Sequence, residues 1–201
     1  MKRAFHPIAQ RDLPLETAAL ARALVGCVLV HETPQGSLAG RIVETEAYPP
    51  GDPAAHHFRG RTQRNASLFL PAHRAYVYHI YGVSYCFNLS AEREGVGGGV
   101  LVRALEPIAG VAIMQANRGC ANVRDLCRGP GRLCRAMNID LRYDGVSLLG
   151  AEPLWLARAC GERRAIGTSR RIGISHAASR PLRYYERGSS FVSGPRSLSP
   201  A

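Results

Sequence analysis

The chain is almost without lysine: of its 26 basic residues only Lys2 is one, and the other twenty-five are arginine. The body of the protein therefore offers no side-chain amine for Schiff-base chemistry and no lysine for a phosphate-binding P-loop. Acidic residues are scarce too, 15 in all, which leaves a formal charge of +11 and makes a nucleic acid the first partner to consider. Arginine suits bidentate phosphate and base-edge contacts, although a GC-rich coding sequence gives the same bias without function. Nowhere do eighteen apolar residues run together, and the start, Met1-Lys2-Arg3-Ala4-Phe5-His6-Pro7, has no apolar leader core. No membrane segment is expected, and the protein is read as intracellular, cytoplasmic or nucleoid if bacterial. In such a reducing compartment the six cysteines are expected as buried thiols. Cys120, Cys127 and Cys134 recur every seven residues, a spacing foreign to zinc sites, so no metal is expected. No cofactor is expected either: Val100 stands where a dinucleotide fingerprint needs its third glycine, and no Walker lysine follows the run from Gly95 to Gly99. No linker or internal repeat divides the 201 residues. One domain over 1–201 is expected, with an ordered core over about 12–193 and a loose last dozen residues.

What is present begins with Arg41-Ile-Val-Glu-Thr-Glu-Ala-Tyr48, a β-strand pattern. Alternation puts Ile42, Glu44, Glu46 and Tyr48 on one face and Val43, Thr45 and Ala47 on the other. Two carboxylates and a phenol share a face that is either solvated or turned to a cleft. Ahead of this strand, residues 15–25 read as a helix and 27–31 as a strand, with a turn at Pro34-Gln35-Gly36-Ser37. Behind it, Pro49, Pro50, Gly51 and Pro53 lead into a polar loop. There His56, His57, Arg59, Arg61 and Arg64 are suited to phosphates. The aromatic stretch 76–89 reads as a hairpin about Gly82. Tyr76, Tyr85 and Phe87 are ordinary core there, whereas Tyr81 lies near a tip that its own domain cannot bury. Residues 94–99 read as a flexible loop and 100–105 as a strand carrying Leu101, Arg103 and Leu105 on one face. An arginine between two leucines needs an anionic partner, and Glu46 is a candidate. A helix is expected from Pro107 towards Asn117, a short one over 130–137, and strands at 146–149, 154–159, 170–174 and 182–187.

Read together, these segments resemble the alkyladenine (3-methyladenine) DNA glycosylase family, also called N-methylpurine DNA glycosylases. The resemblance rests on Gly40 to Tyr48, Ala55-His56, Arg59-Gly60-Arg61-Thr62, Tyr76-Val-Tyr-His-Ile-Tyr-Gly82, Cys86-Phe-Asn88 and Leu101-Val-Arg-Ala-Leu-Glu-Pro107. It continues through Gly129-Pro-Gly-Arg-Leu-Cys134, Arg171-Ile-Gly-Ile174 and Pro181-Leu-Arg-Tyr-Tyr185, in the family's order. It implies a mixed α/β (α+β) fold: a single compact domain with a curved, mainly antiparallel sheet, surrounding helices and a protruding β-hairpin. It implies base excision repair of double-stranded DNA containing damaged purines, by a monomer that flips the base out and cleaves its N-glycosidic bond. Glu46 takes the general-base position, and Arg103 with the main chain near Ile172 would help hold the attacking water. Tyr48 would lie on one face of the base, with His56 and Tyr78 on the other. Asn88 would oppose guanine's exocyclic amine, Tyr81 would fill the gap in the duplex, and Arg59, Arg61 and Arg64 would contact DNA. Glu44 is left as a supporting or solvated neighbour. Departures are Pro49-Pro50 after the motif tyrosine, the His56-His57 doublet, in which His57 remains an alternative, and His79 in place of an aliphatic residue.

The physical reading is compatible with these roles. A glycosidic bond inside a duplex is out of reach of a water on the far side, so the base must leave the stack at a cost of roughly a few kcal/mol. Phenols and an imidazole favour a cationic methylated purine through cation-π attraction. With Lys2 the only lysine, the expected enzyme hydrolyses the base and leaves an intact abasic site. Two competing readings are a catalytically silent binder of damaged DNA or RNA, in which buried charges would be costly, and a free-nucleoside hydrolase, which needs neither the charge of +11 nor an exposed Tyr81.

Overall fold

In a computed structural model, which describes residues 5–80, 82, 84–150, 153–158 and 164–199, the chain forms one antiparallel sheet with three α-helices around it. The chain runs α1 (Thr17–Leu24), β1 (Val28–Thr33), β2 (Gly36–Tyr48), β3 (Ala75–Ile80), β4 (Ser84–Ser90), β5 (Gly99–Ala109), α2 (Val111–Arg118) and α3 (Pro130–Ala136), then β6 (Leu154–Ala157), β7 (Ile166–Ser169) and β8 (Arg183–Glu186). Strand order is β3-β4-β5-β2-β1-β6, and β8 joins β2 with β7 outside it. This is the single compact α+β domain expected. No described helix is long and apolar enough to cross a membrane.

The organising element is β2. One edge pairs with β5 along nearly its whole length; the other is shared, Gly36 to Arg41 with β1 and Glu44 to Glu46 with β8. Its inner face packs on α1, whose Leu20, Ala21 and Leu24 are fully buried in the main core. Thr45 also donates from Oγ1 to the Ala21 carbonyl at 2.8 Å. The N-terminus of α1 is held by the Glu16 carboxylate, which accepts from Ala18 and Ala19, and by Glu92, which accepts from Thr17. Such caps satisfy donors that the helix itself leaves open.

Simple alternation fails in the middle of β2. The ladder with β5 shifts between Ile42 and Glu44 and again between Glu44 and Thr45, so Val43 and Arg103 have no register partner. Irregularities of this kind re-aim side chains. Ile42 consequently joins the main core with Ala47, while Val43 turns to a separate cluster with Ala104, Tyr185 and Val192. The expected face of Ile42, Glu44, Glu46 and Tyr48 is thus broken at Ile42. Leu105 likewise enters the core and parts from Arg103.

Other expectations are corrected. Pro107 does not open a helix but lies within β5; Gly110, at φ +71°, precedes α2. Pro107 is tolerated there because it sits beside the register shift between Ala39 and Gly40, and β5 pairs with β4 only from Gly99 to Leu101, which leaves its other edge open at Pro107. Residues 146–149 contribute only an isolated bridge from Ser147 to Arg74, and 170–174 are bends, the strand falling earlier at β7. The run 94–99 is not uniformly loose: a Cβ at Gly97 would lie 2.8 Å from His57 and Phe69, and one at Gly98 2.7 Å from Thr17 Oγ1. Glycine is used there for close packing. Of the last described residues, Val192 and Ser193 are buried and Leu198 accepts a hydrogen bond from Arg183. Tyr81 and the end of the expected strand at 159 lie outside the described residues.

Candidate active site

Where β2, β3, β4 and β5 converge, a cleft of about 320 Å³ is lined by Tyr48, His56, Arg64, Tyr76, Tyr78, Asn88, Arg103 and Ile172, among others. Its walls come from local sequence. Tyr48 ends β2, Tyr76 and Tyr78 share one face of β3 by alternation, and Asn88 lies opposite Tyr76 across the ladder. The loop after β2 returns His56 to the cleft because its backbone is pinned. Asn65 Nδ2 donates to the carbonyls of His56 and Gly60 at 2.9 and 3.0 Å.

Both histidines of the doublet line the cleft, but they pack differently. His56 stands over Tyr78 with ring centroids 4.4 Å apart, and its Nδ1 lies 2.9 Å from the Tyr76 hydroxyl. His57 is buried against Phe69, with Nε2 3.1 Å from the Pro49 carbonyl. Desolvation against the tyrosines, reinforced by the Arg64 guanidinium, lowers the His56 pKa and so favours its neutral form. Tyr48, Tyr76 and Tyr78 are all pushed upward by burial and stay protonated. Tyr76, read from sequence as plain core, is buried yet holds His56 through its hydroxyl. No sequence signal separates it from Tyr85.

Beneath the aromatic walls lies Glu46, with no solvent exposure. Its Oε1 accepts from the Ile172 N–H at 2.7 Å; its Oε2 accepts from the Tyr48 hydroxyl at 3.0 Å and from Arg103 Nη1 at 3.2 Å. Burial raises its pKa above the ordinary carboxylate value, and the Arg103 charge, the Ile172 N–H and the Tyr48 hydroxyl oppose that rise. Glu44 is equally buried, but does another job: its Oε1 accepts from Arg183 Nε at 2.6 Å and Arg103 Nε at 3.1 Å, its Oε2 from the Ser193 N–H at 2.6 Å. It is a supporting group, not a solvated one. Two carboxylates and two guanidiniums thus form a buried, charge-balanced cluster, and only Glu46 lies against residues of the cleft through Tyr48, Arg103 and Ile172 together.

Asn88 spends its Nδ2 on the Tyr76 carbonyl at 3.1 Å. Arg64 sits at the cleft wall, with its guanidinium carbon 6.0 Å from the Tyr78 ring centroid and Nη2 3.3 Å from the His79 carbonyl. Arg59 and Arg61 are exposed on the same loop, away from the cleft lining. Sequence reading did not single out Asp52 or Arg171. They form a fully buried ion pair at 2.7 Å, and the Arg171 guanidinium carbon lies 4.6 Å from the Tyr48 ring centroid, bracing that ring. The one available signal was an aspartate amid prolines and glycines in an otherwise cationic loop. Among the described residues no cluster of histidine, cysteine or acidic side chains has the arrangement of a metal site.

A buried, polarised carboxylate under a cleft walled by aromatic rings, in a chain of charge +11, fits a site that receives a nucleic-acid base. The chain belongs to the methylpurine-DNA glycosylase family, whose model matches residues 12–190. It is 57% identical over 192 residues, 96% of this chain and 92% of the relative, to a Mesorhizobium japonicum protein with the provisional name 3-methyladenine DNA glycosylase. Proteins of the same provisional name from Paraburkholderia phytofirmans and Methanoculleus marisnigri are 47% and 46% identical, over 96% and 89% of this chain and 90% and 94% of theirs.

Proposed function

We propose that this DNA glycosylase excises alkylated or deaminated purines from duplex DNA by flipping them into the aromatic cleft and hydrolysing the N-glycosidic bond with a water activated by Glu46. The observation that carries the reading is the setting of Glu46: fully buried, and held by three donors from three parts of the chain, Tyr48, Arg103 and Ile172, all of which line the cleft. Oε2 accepts two hydrogen bonds and Oε1 one, so an acceptor direction on Oε1 is left for a water. Ionised Glu46 takes a proton from that water as its oxygen bonds to the anomeric carbon, and the bonding pair of the glycosidic bond leaves with the base. The same carboxylate stabilises the oxocarbenium-like sugar. A cationic methylated purine departs neutral and needs no acid. Tyr48 stacks on one face of the base and His56 with Tyr78 on the other, each contact worth about 1 to 3 kcal/mol. Asn88 crowds an exocyclic amine. Tyr81 fills the vacated stack, and Arg59, Arg61 and Arg64 engage the DNA. With Lys2 as the only lysine, no Schiff base forms and the abasic strand stays intact.

The test is incubation with duplexes carrying 1,N6-ethenoadenine, hypoxanthine or 3-methyladenine, followed by alkali to break abasic sites. Release of base from at least one duplex is expected, with no strand breaks before alkali. Binding without release from any of them would favour the silent binder. Glu46→Gln should abolish release and retain binding.

A further inference from the structure

Resting on that reading, we propose that Arg103 is set for the reaction by a positioning cage built from Glu44, Arg183 and the C-terminal segment 193–199, so that residues outside the base cleft govern turnover rather than DNA binding.

Arg103 has no register partner in the β2–β5 ladder, so the sheet alone does not fix its aim. Its Nη1 meets Glu46 at 3.2 Å while its Nε is tied to Glu44 Oε1 at 3.1 Å and to Ser193 Oγ at 3.4 Å. Glu44 is in turn fixed by Arg183 Nε and by the Ser193 N–H, both at 2.6 Å. Arg183, with no solvent exposure, is closed by the tail: Nη1 donates to the Leu198 carbonyl and Nη2 to Ser199 Oγ, each at 2.8 Å. The donor to Ser193 O at 3.3 Å and the donor to Ser169 Oγ at 2.7 Å complete the set.

The tail also reaches the opposite arm of the site. Gly194, at φ +76°, comes so close to Ile172 that an added Cβ would lie 2.6 Å from its Cδ1, and the Ile172 N–H holds Glu46 Oε1. Both donors that fix the two oxygens of Glu46 from outside β2 therefore lean on one segment. The family match ends at residue 190, before this segment begins. A guanidinium misplaced by about an ångström stabilises the ionised carboxylate less, and errors of that size caused remote from the chemistry can cost about a hundredfold in rate.

Two variants test this. One is a chain ending at Pro195, which removes the Leu198 and Ser199 contacts. The other is Ser169→Ala with Ser199→Ala, which deletes two hydroxyl acceptors of Arg183 and the exposed Ser169 hydroxyl bond to the Arg170 carbonyl, and should fold even if the first does not. Single-turnover excision and KM for lesion duplex are measured from acid to neutral pH, beside thermal melting. The groups facing Glu46 are Glu44 and Tyr48 on β2, Arg103 on β5, Arg183 on β8, Cys86 on β4, and Arg171 with Ile172 in the loop. The variants loosen only the Arg103, Arg183 and Glu44 part. A fall in turnover of about tenfold or more for the truncation, KM within about twofold, and an acid limb moved to higher pH support the cage. Parental turnover and acid limb in the double variant overturn it, as does a loss of turnover, KM and melting temperature together with an unmoved acid limb. If the parent releases no base at all, it is the reading of the function that fails, not the cage.

Discussion

The two glutamates of β2 are chemically identical and equally buried, yet the structure gives them opposite stability signatures. In Glu44→Gln, Arg183 loses the carboxylate at 2.6 Å while remaining fully buried, and Arg103 loses one of its two. Breaking a buried pair in this way costs about 3 to 5 kcal/mol, because a charge is left uncompensated. For 201 residues the unfolding entropy is about 0.42 kcal/mol/K, so the melting temperature should fall by about 7 to 12 °C. In Glu46→Gln no cation loses its last carboxylate, since Arg103 keeps Glu44. The pKa of Glu46 is raised in the fold, so its contribution to stability is present below the unfolded value, near 4.5, and is lost as pH rises through the folded value. At neutral pH its ionisation therefore costs stability, and Glu46→Gln should melt at or above the parent. The gap between them should close on acidification. Scanning calorimetry of both variants from about pH 4 to 8, beside single-turnover excision, checks the reasoning. An equal loss of melting temperature in the two variants, or retained excision in Glu46→Gln, would refute it.

Because burial raises the Glu46 pKa and excision requires the carboxylate ionised, the acid limb of turnover should lie above the ordinary value of 4.5. A profile flat through the acid range would count against it. His56→Ala should weaken lesion capture about tenfold, since it removes a ring from the slot, whereas His57→Ala should chiefly lower thermal stability by about 2 kcal/mol; stopped-flow binding and melting curves distinguish them. Tyr81→Ser should reduce excision from duplex far more than from single strands; equal losses would end the wedge assignment. Raising salt from about 50 to 200 mM should weaken duplex binding by at least tenfold, as measured by anisotropy, if arginines contact several phosphates.

The order of the motifs, the antiparallel strands around the carboxylate strand, the hairpin about Gly82 and the presence of an anion partner for Arg103 were all legible in the chain. Each depends on local period or on a pattern running in sequence order, which a linear reading can count. The sequence misjudged Ile42 and Leu105 because a slipped register is a compromise between two strands some sixty residues apart, with no mark in either alone. It took Pro107 for a helix start because proline suits that place as well as the end of a strand. It also took residues 94–99 for a flexible loop, since glycine serves flexibility and close packing alike.

By itself, then, the sequence determined which groups are available: two carboxylates a pleat apart, aromatic rings at alternate positions, arginine nearly to the exclusion of lysine, and the family pattern that joins them. The family pattern already set Glu46 apart from Glu44; only the tertiary structure shows the partners that give the two carboxylates different surroundings. The partners that divide Glu44 from Glu46 arrive from far along the chain, Arg183 at a separation of 139 residues and Ser193 at 149, against 126 for Ile172. Burial makes those few distant donors decisive, because in a site closed to water a carboxylate takes its character from whichever protein groups reach it.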